Sequence, residues 1–246
     1  MDFTLLGACF AAFFCGGLIK GIAGMGLPLT AIAFMTQFIE LSIAVPLLVI
    51  PILITNAIQA MNGGNFFRLL RQFWLLIFSA CITTFLGVNI LERVDPFYLL
   101  ITLGCIVTIY ALINLFAVRV IINSKHHNWL SPLTGTFAGI MSGMTGVIAI
   151  PTVLYLQALQ LSKDLFVQAS GIIFFIGGLC LLLALQLGGH FNPSNLSVSC
   201  LAMFPAVVGS YFGRKLRQFI PEERFRNIIF IFLVLTGLNL IRKAFS

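Results

Sequence analysis

Lys20 is the one charged residue with long apolar runs on both sides, Phe3–Ile19 before it and Gly21–Phe38 after it. An ammonium at membrane depth is costly and by default marks a cavity, a substrate path or a partner. The competing explanation is that Lys20 snorkels to an interface at a turn of the chain. No carboxylate accompanies it within the apolar run, so the charge suits an anionic ligand. Gly24, Met25 and Gly26 follow it, with Pro28 close behind, and Gly143, Met144, Thr145 and Gly146 precede Pro151 in the same fashion. Glycines followed by a proline suit a break in an apolar segment. At such a break the free N–H groups of a half-helix N-terminus attract negative charge. Close helix packing is the other use of glycines at this spacing. A third group is Thr55, Asn56 and Gln59, in an otherwise apolar span after Pro51. Asn56 and Gln59 are three apart and share a helix face. Pro51 removes a backbone donor and exposes a carbonyl one turn back. Uncharged hydrogen-bonding groups suit an oxyanion that must be released, and they equally suit hydrogen bonds between helices. Gln157, Gln168 and Ser170 are weaker candidates in the later part of the chain.

The acidic residues narrow the chemistry by their positions. Asp2, Glu40, Glu92, Asp95, Asp164, Glu222 and Glu223 all fall at termini or in loops. No segment carries the buried carboxylate that proton relays and cation carriers use, which argues against a sodium or metal-cation carrier. Proton coupling through the substrate's own titration stays open. Lys20 precedes the glycines instead of following them, so Gly21–Gly26 is not a phosphate-binding loop, and HExxH and GxSxG are absent. His126 and His127 read as solvated linker residues. Cys9, Cys15, Cys81, Cys105, Cys180 and Cys200 lie inside apolar runs with no CxxC pair, as packing residues do. Neither an enzyme, a metal site nor a cofactor is expected.

The elements that hold these residues must be membrane helices. Of 246 residues, 60% are hydrophobic and 9% charged, with a mean hydropathy of +1.08. Roughly 25% charged is usual for a soluble domain, so there is too little charge here to cover a water-facing surface. Crossing a bilayer takes roughly 20 apolar residues, and lipid leaves backbone polar groups only internal partners. The alternation of a membrane barrel is absent. Apolar segments fall at about 3–38, 41–60, 73–91, 97–117, 130–160, 165–187, 195–213 and 225–244. Met1-Asp2 lacks a basic leader, so the first run reads as a membrane segment, not a cleaved signal. The net charge of +7 sits in loops, as expected beside a membrane and not for nucleic acid. No interruption is long enough for a soluble domain.

Several spacings recur in order, which points to an internal duplication. Ala44 to Gly63 and Ala169 to Gly188 are both 19 residues, and Gly63 to Asn114 and Gly188 to Asn239 are both 51. Gly21 to Gly26 resembles Gly139 to Met144, which sets Ala138 opposite Lys20, while the spacing that matches Ala44 with Ala169 sets Leu181 opposite Asn56. The halves are 3–117 and 130–244, joined by a linker at 118–129, within one membrane domain over 1–246. Placing most Lys and Arg in the cytoplasm puts 61–72, 118–129 and 214–226 inside. The Gly63-Gly64 and Gly188-Gly189 loops then lie on opposite sides, and the repeats are inverted. A parallel arrangement would leave the basic 214–226 stretch outside. The first segment of each half must then enter and leave on one side. At 36 and 31 residues it is too long for one span and short for two. The expected fold is therefore all-α, two inverted repeats, each a broken or re-entrant helical hairpin followed by three transmembrane helices.

With Lys20-Gly21…Gly24-Met25-Gly26-Leu27-Pro28, Pro51…Thr55-Asn56…Gln59 and Gly143-Met144-Thr145-Gly146…Pro151 laid out, the chain resembles the TauE/SafE family of sulfite exporter-like permeases over nearly its whole length. The resemblance implies secondary transport of a small sulfur-containing anion, such as sulfite, sulfoacetate or another organosulfonate, across the bacterial inner membrane. The leading expectation is an ATP-independent carrier working by alternating access. Its substrate-binding residues would be Lys20, Gly24, Met25, Gly26, Thr55, Asn56, Gln59, Gly143, Met144, Thr145 and Gly146. Its partners are the anion and the lipid bilayer, and a homo-oligomer is compatible with the sequence. The runner-up is a non-transporting membrane scaffold or assembly component, which predicts that Lys20 and Asn56 are replaceable.

Overall fold

The computed structural model describes residues 3–116, 127–189, 193–216 and 222–245. The expected linker from 118 to 126, the His190-Phe191 end of the second glycine loop, Arg217 and Asp2 lie outside them. Every regular element among the described residues is an α-helix, as the composition requires. In order they are α1 (Phe3–Ala23), α2 (Leu27–Met35), α3 (Leu41–Met61), α4 (Phe66–Gln72), α5 (Trp74–Arg93) and α6 (Pro96–Leu115), then α7 (His127–Thr145), α8 (Ala149–Ala158), α9 (Lys163–Leu187), α10 (Pro193–Leu216) and α11 (Glu222–Ala244). Five stretches are long and apolar enough to cross a membrane: Leu41–Met61, Trp74–Arg93, Pro96–Ile113, Asp164–Leu187 and Leu196–Leu216. The expected multi-helix membrane fold is what the chain adopts.

Both long first segments are broken. The 21 residues of α1 extend about 31 Å and the nine of α2 about 14 Å, against a hydrocarbon core of about 30 Å. Each first segment is thus one full-length helix and one half-length helix, and α7 with α8 repeats the arrangement. In the first of them α2 folds back on α1: a Cβ added to Gly16 would lie 2.9 Å from the Leu27 carbonyl oxygen and 3.5 Å from the Ala31 Cβ. One element was not foreseen. The basic loop at 61–72 contains α4, which buries Leu69 and exposes Phe67, Arg68 and Arg71.

The chain forms two compact units. One contains α1, α2, the first part of α3 as far as Pro51, α6, α10 and α11. The other contains α3 from Ile52 onward, α4, α5, α7, α8 and α9. In the first unit α1 packs along α10 and α6 along α11; in the second, α5 packs along α7 and α9. These units cut across the expected halves, because packing and chain order divide the helices differently.

The helix faces explain the pairing. Trp74, Phe78, Ile82 and Leu86 recur every four residues along α5 and are exposed, while Leu76, Ala80, Thr84, Gly87 and Leu91 are buried. Both faces are apolar, as expected when one meets lipid and the other meets protein. The buried face is lined with small residues that let backbones approach. A Cβ on Gly143 of α7 would lie 2.6 Å from the carbonyl carbon of Gly87 in α5. In the other unit, a Cβ on Gly21 of α1 would lie 2.8 Å from the Gly213 Cα in α10. Neither position has room for a side chain.

Candidate anion site

At the first break, α1 ends in a left-handed cap. Gly24 takes φ 80°, which costs glycine nothing and other residues roughly 1–2 kcal/mol. Its N–H donates to the Lys20 carbonyl at 2.7 Å. Lys20 therefore stands in the last turn of α1, only 6% exposed. A cation there also complements the negative end of the α1 dipole, so part of its placement is structural. The chain then turns through Met25 and Gly26 into α2, with Gly26 as N-cap and Pro28 in the first turn. A proline there gives up an N–H that the helix would leave unpaired in any case. Among the described residues, no hydrogen bond uses the N–H groups of Leu27 or Leu29, and no side chain caps α2. The first turn of α2 is open in the sense that favours anions. Gly24, Met25 and Gly26 are half-buried, and the Tyr110 hydroxyl of α6 donates to the Met25 sulfur at 3.8 Å.

The second break has the same backbone design. Gly146 takes φ 73° and its N–H donates to the Ser142 carbonyl at 2.7 Å. α7 runs on through Thr145, so Gly143, Met144 and Thr145 form its last turn and of the four only Gly146 lies in the break. Gly143 is a packing glycine against α5. The Thr145 hydroxyl donates to the Met141 carbonyl at 2.7 Å and accepts the Val147 N–H at 3.3 Å, tying the break together. Matching Gly24 with Gly146 sets Ser142, not Ala138, opposite Lys20. The register read from the sequence is thus corrected by one helical turn. Ser142 is buried but uncharged, so the difference in charge between the two breaks stands.

On α3, Thr55 and Asn56 are buried at 6% and 1% exposure. The Thr55 hydroxyl donates to the Ile52 carbonyl at 3.4 Å. Gln59 has a structural engagement: its Nε2 donates to the Val167 carbonyl at 2.7 Å and to the Ser170 hydroxyl at 3.2 Å, both on α9. Gln168 answers from α9, donating to the Ala60 carbonyl at 3.1 Å and accepting the Asn65 N–H at 3.2 Å. These amides clamp α3 to α9 at the start of the glycine loop. Within this unit Gln59 faces α9 and Gly143 faces α5, so the two belong to different helix joints. Lys20, Gly24, Met25 and Gly26 belong together in the other unit.

Three polar residues outside the expected set prove structurally important. Pro51 deprives the Leu47 carbonyl of its helical donor, and the Ser199 hydroxyl of α10 supplies one at 3.0 Å while accepting the Ile50 N–H at 3.2 Å. The carbonyl that Pro51 exposes is therefore taken by another helix. Lys243 of α11 donates to the carbonyls of Thr36 and Gln37, at 2.6 and 3.1 Å, and so caps the end of α2. Asn239 donates to the Gln37 side-chain oxygen at 2.6 Å beside it. The signal for Ser199 is only that of a serine in an apolar span that also holds Ser197 and Ser210; nothing in its spacing ties it to Pro51. Among the described residues no group of three or more His, Cys, Asp or Glu converges as a metal site.

The model of the family described as Sulfite exporter TauE/SafE matches residues 9–240, a span that takes in both breaks, the α3 face and most of α11. No curated protein and no solved structure matches the chain.

Proposed function

We propose a reaction from one premise: the chain belongs to the TauE/SafE sulfite exporter family and is a multi-pass membrane transport protein. The proposed cargo is a small sulfur oxyanion, sulfite or an organosulfonate such as sulfoacetate. The proposed process is ATP-independent alternating access in the bacterial inner membrane. One observation carries the choice of an anion: Lys20 is buried at the end of α1, immediately before a break that opens the first turn of α2. The charge and the unpaired N–H groups have the same sign of preference, and both favour an oxyanion over a cation.

Lys20 supplies fixed positive charge in this reading. Gly24, Met25 and Gly26 shape the turn, and the donors come from the N–H groups just beyond them. Thr55, Asn56 and the stretch Gly143-Met144-Thr145-Gly146 are proposed as further polar contacts of the permeating anion. Gln59 holds α3 in place through its bonds to α9. Uncharged contacts of this kind suit release, because each is weaker than an ion pair.

The test is flux of sulfite, sulfoacetate and taurine-like sulfonates in proteoliposomes, with Lys20→Ala and Asn56→Ala beside the wild type. At least a tenfold loss of flux is expected in Lys20→Ala, from about 1.4 kcal/mol or more of lost interaction with the anion. If wild-type protein moves none of these anions faster than empty liposomes leak them, the substrate class is wrong. Unchanged flux in both variants would mean the binding residues are misassigned.

A further inference from the structure

We propose that the Thr30 hydroxyl is a direct hydrogen-bond donor to the transported oxyanion at the open first turn of α2. This inference rests on the reading above and adds a residue to its site.

Thr30 sits in the first turn of α2 and is 2% exposed, yet among the described residues its hydroxyl has no hydrogen-bond partner. Buried hydroxyls are almost always paired, and an unpaired one destabilises the fold. Several other threonines in or at the end of helices show the usual remedy, donation to the carbonyl one turn back. Thr36 donates to Ile32 at 2.8 Å, Thr84 to Ala80 at 2.7 Å and Thr108 to Gly104 at 2.7 Å. The corresponding carbonyl for Thr30 belongs to Gly26, and it accepts only the Thr30 backbone N–H, at 3.0 Å.

The second break supplies an internal control. When Gly24 is matched with Gly146, Thr30 falls opposite Thr152. Thr152 is equally buried, but its hydroxyl donates to the Ile148 carbonyl at 3.0 Å. So the same residue type at the same place is satisfied in one break and unsatisfied in the other. The unsatisfied copy is in the break that also carries Lys20.

Direction supports the assignment. The Cα–Cβ bonds of a helix tilt toward its N-terminus, so a side chain covers the turn before its own Cα. For Thr30 that turn holds the unpaired N–H groups of Leu27 and Leu29. Two amide donors and one hydroxyl donor are thereby gathered at one helix end, all without acceptors. An oxyanion with three oxygens provides acceptors for them, and a cation provides none.

The experiment separates this role from simple packing, because valine has the shape of threonine without its hydroxyl. If Thr30 only fills space, Thr30→Val leaves transport alone. If it binds the anion, Thr30→Val should keep or raise the thermal stability of the sulfite-free protein, since an unsatisfied hydroxyl has gone. At the same time KM for sulfite flux in proteoliposomes should rise about 10-fold, with kcat changed by less than about threefold, and sulfite should no longer raise Tm. Thr30→Ser should restore KM to within about threefold, and Thr152→Val should shift it by less than about twofold. A wild-type protein that responds to sulfite together with a Thr30→Val protein of unchanged KM overturns the inference, as does a Thr30→Ser protein as impaired as the valine variant. Should Thr30→Val not accumulate, Thr30→Ala carries the same comparison. A wild type that moves none of sulfite, sulfoacetate and taurine-like sulfonates, and gains stability from none of them, overturns the parent reading before any Thr30 variant is measured, so the two failures are distinguishable.

Discussion

Lys20 and Ser199 show two ways a polar side chain can occupy an apolar helix. Ser199 is spent on the fold: Pro51 leaves the Leu47 carbonyl without its helical donor, and the serine hydroxyl replaces it across a helix joint. Ser199→Ala should therefore lower stability by about 1–3 kcal/mol, the cost of a buried acceptor left unpaired. Thermal unfolding in detergent measures this, and an unchanged Tm would show that the Leu47 carbonyl finds another donor. Sulfite flux per folded molecule should hardly change. Lys20 is a different case, since burial of an ammonium is costly and its position at the end of α1 offsets that cost only in part. Its variants should accumulate as folded protein while losing flux. That pairing of stable protein with lost transport is what distinguishes a binding lysine from a snorkelling one. A Lys20→Ala protein with lower Tm and full flux would reverse the assignment.

At the scale of elements, glycine does two jobs that look alike in the sequence. Gly24 and Gly146 end a helix with positive φ, whereas Gly21 and Gly143 let two helices touch. Gly143→Ala should cost about 1–3 kcal/mol of stability, because its Cβ would meet the Gly87 backbone, which cannot rotate away. Gly7→Ala should cost nothing, since nothing lies within 4 Å of the added carbon, and alanine is the better helix former. Denaturation of the two variants side by side checks both; equal effects would mean the α5–α7 joint is looser than it looks. The same dual use limited what could be read from the sequence. The breaks, the glycine loops and the long helices were legible, because apolar length, proline and glycine each have a local cause. The register between the two breaks was not. Glycines recur every four residues along α7, at Gly135, Gly139 and Gly143, so sliding the comparison one turn keeps the same helix face. Only the caps at Gly24 and Gly146 fix it. Thr30 is not legible for a related reason: a threonine in an apolar run normally bonds its own helix, and its failure to do so is a fact of geometry. Likewise α4 reads as a loop in the sequence because Arg68 and Arg71 dominate a stretch in which the fold buries Leu69.

For the whole molecule, the pairing of helices bears on how the two halves arose and how they are oriented. In one unit the first helix of the earlier half, α1, packs on α10 of the later half. In the other, α7 of the later half packs on α5 of the earlier one. The contacts correspond in detail: a Cβ on Gly213 would lie 2.9 Å from the Gly21 Cα, and one on Gly87 would lie 2.8 Å from the Gly143 Cα. The exchange is reciprocal between helices that the expected duplication would make equivalent. Whether the halves are inverted turns on the charges of the loops, where Arg68 and Arg71 on α4 and Arg214 and Lys215 on α10 are exposed. The preference of positive charge for the cytoplasm predicts the end of α3 inside and, with inverted halves, the end of α9 outside. Single cysteines in a cysteine-free background test this at Met61 and Leu187, the last residues of those helices, each 80% exposed. They are better probes than Gly63, where φ is 123° and an added Cβ would lie 2.6 Å from the Gln168 side-chain oxygen. With intact cells and a membrane-impermeant maleimide, Leu187→Cys should react at once and Met61→Cys only after permeabilisation. Reaction of both on the same side would mean parallel halves. It would also remove the argument that each broken segment must enter and leave by one face.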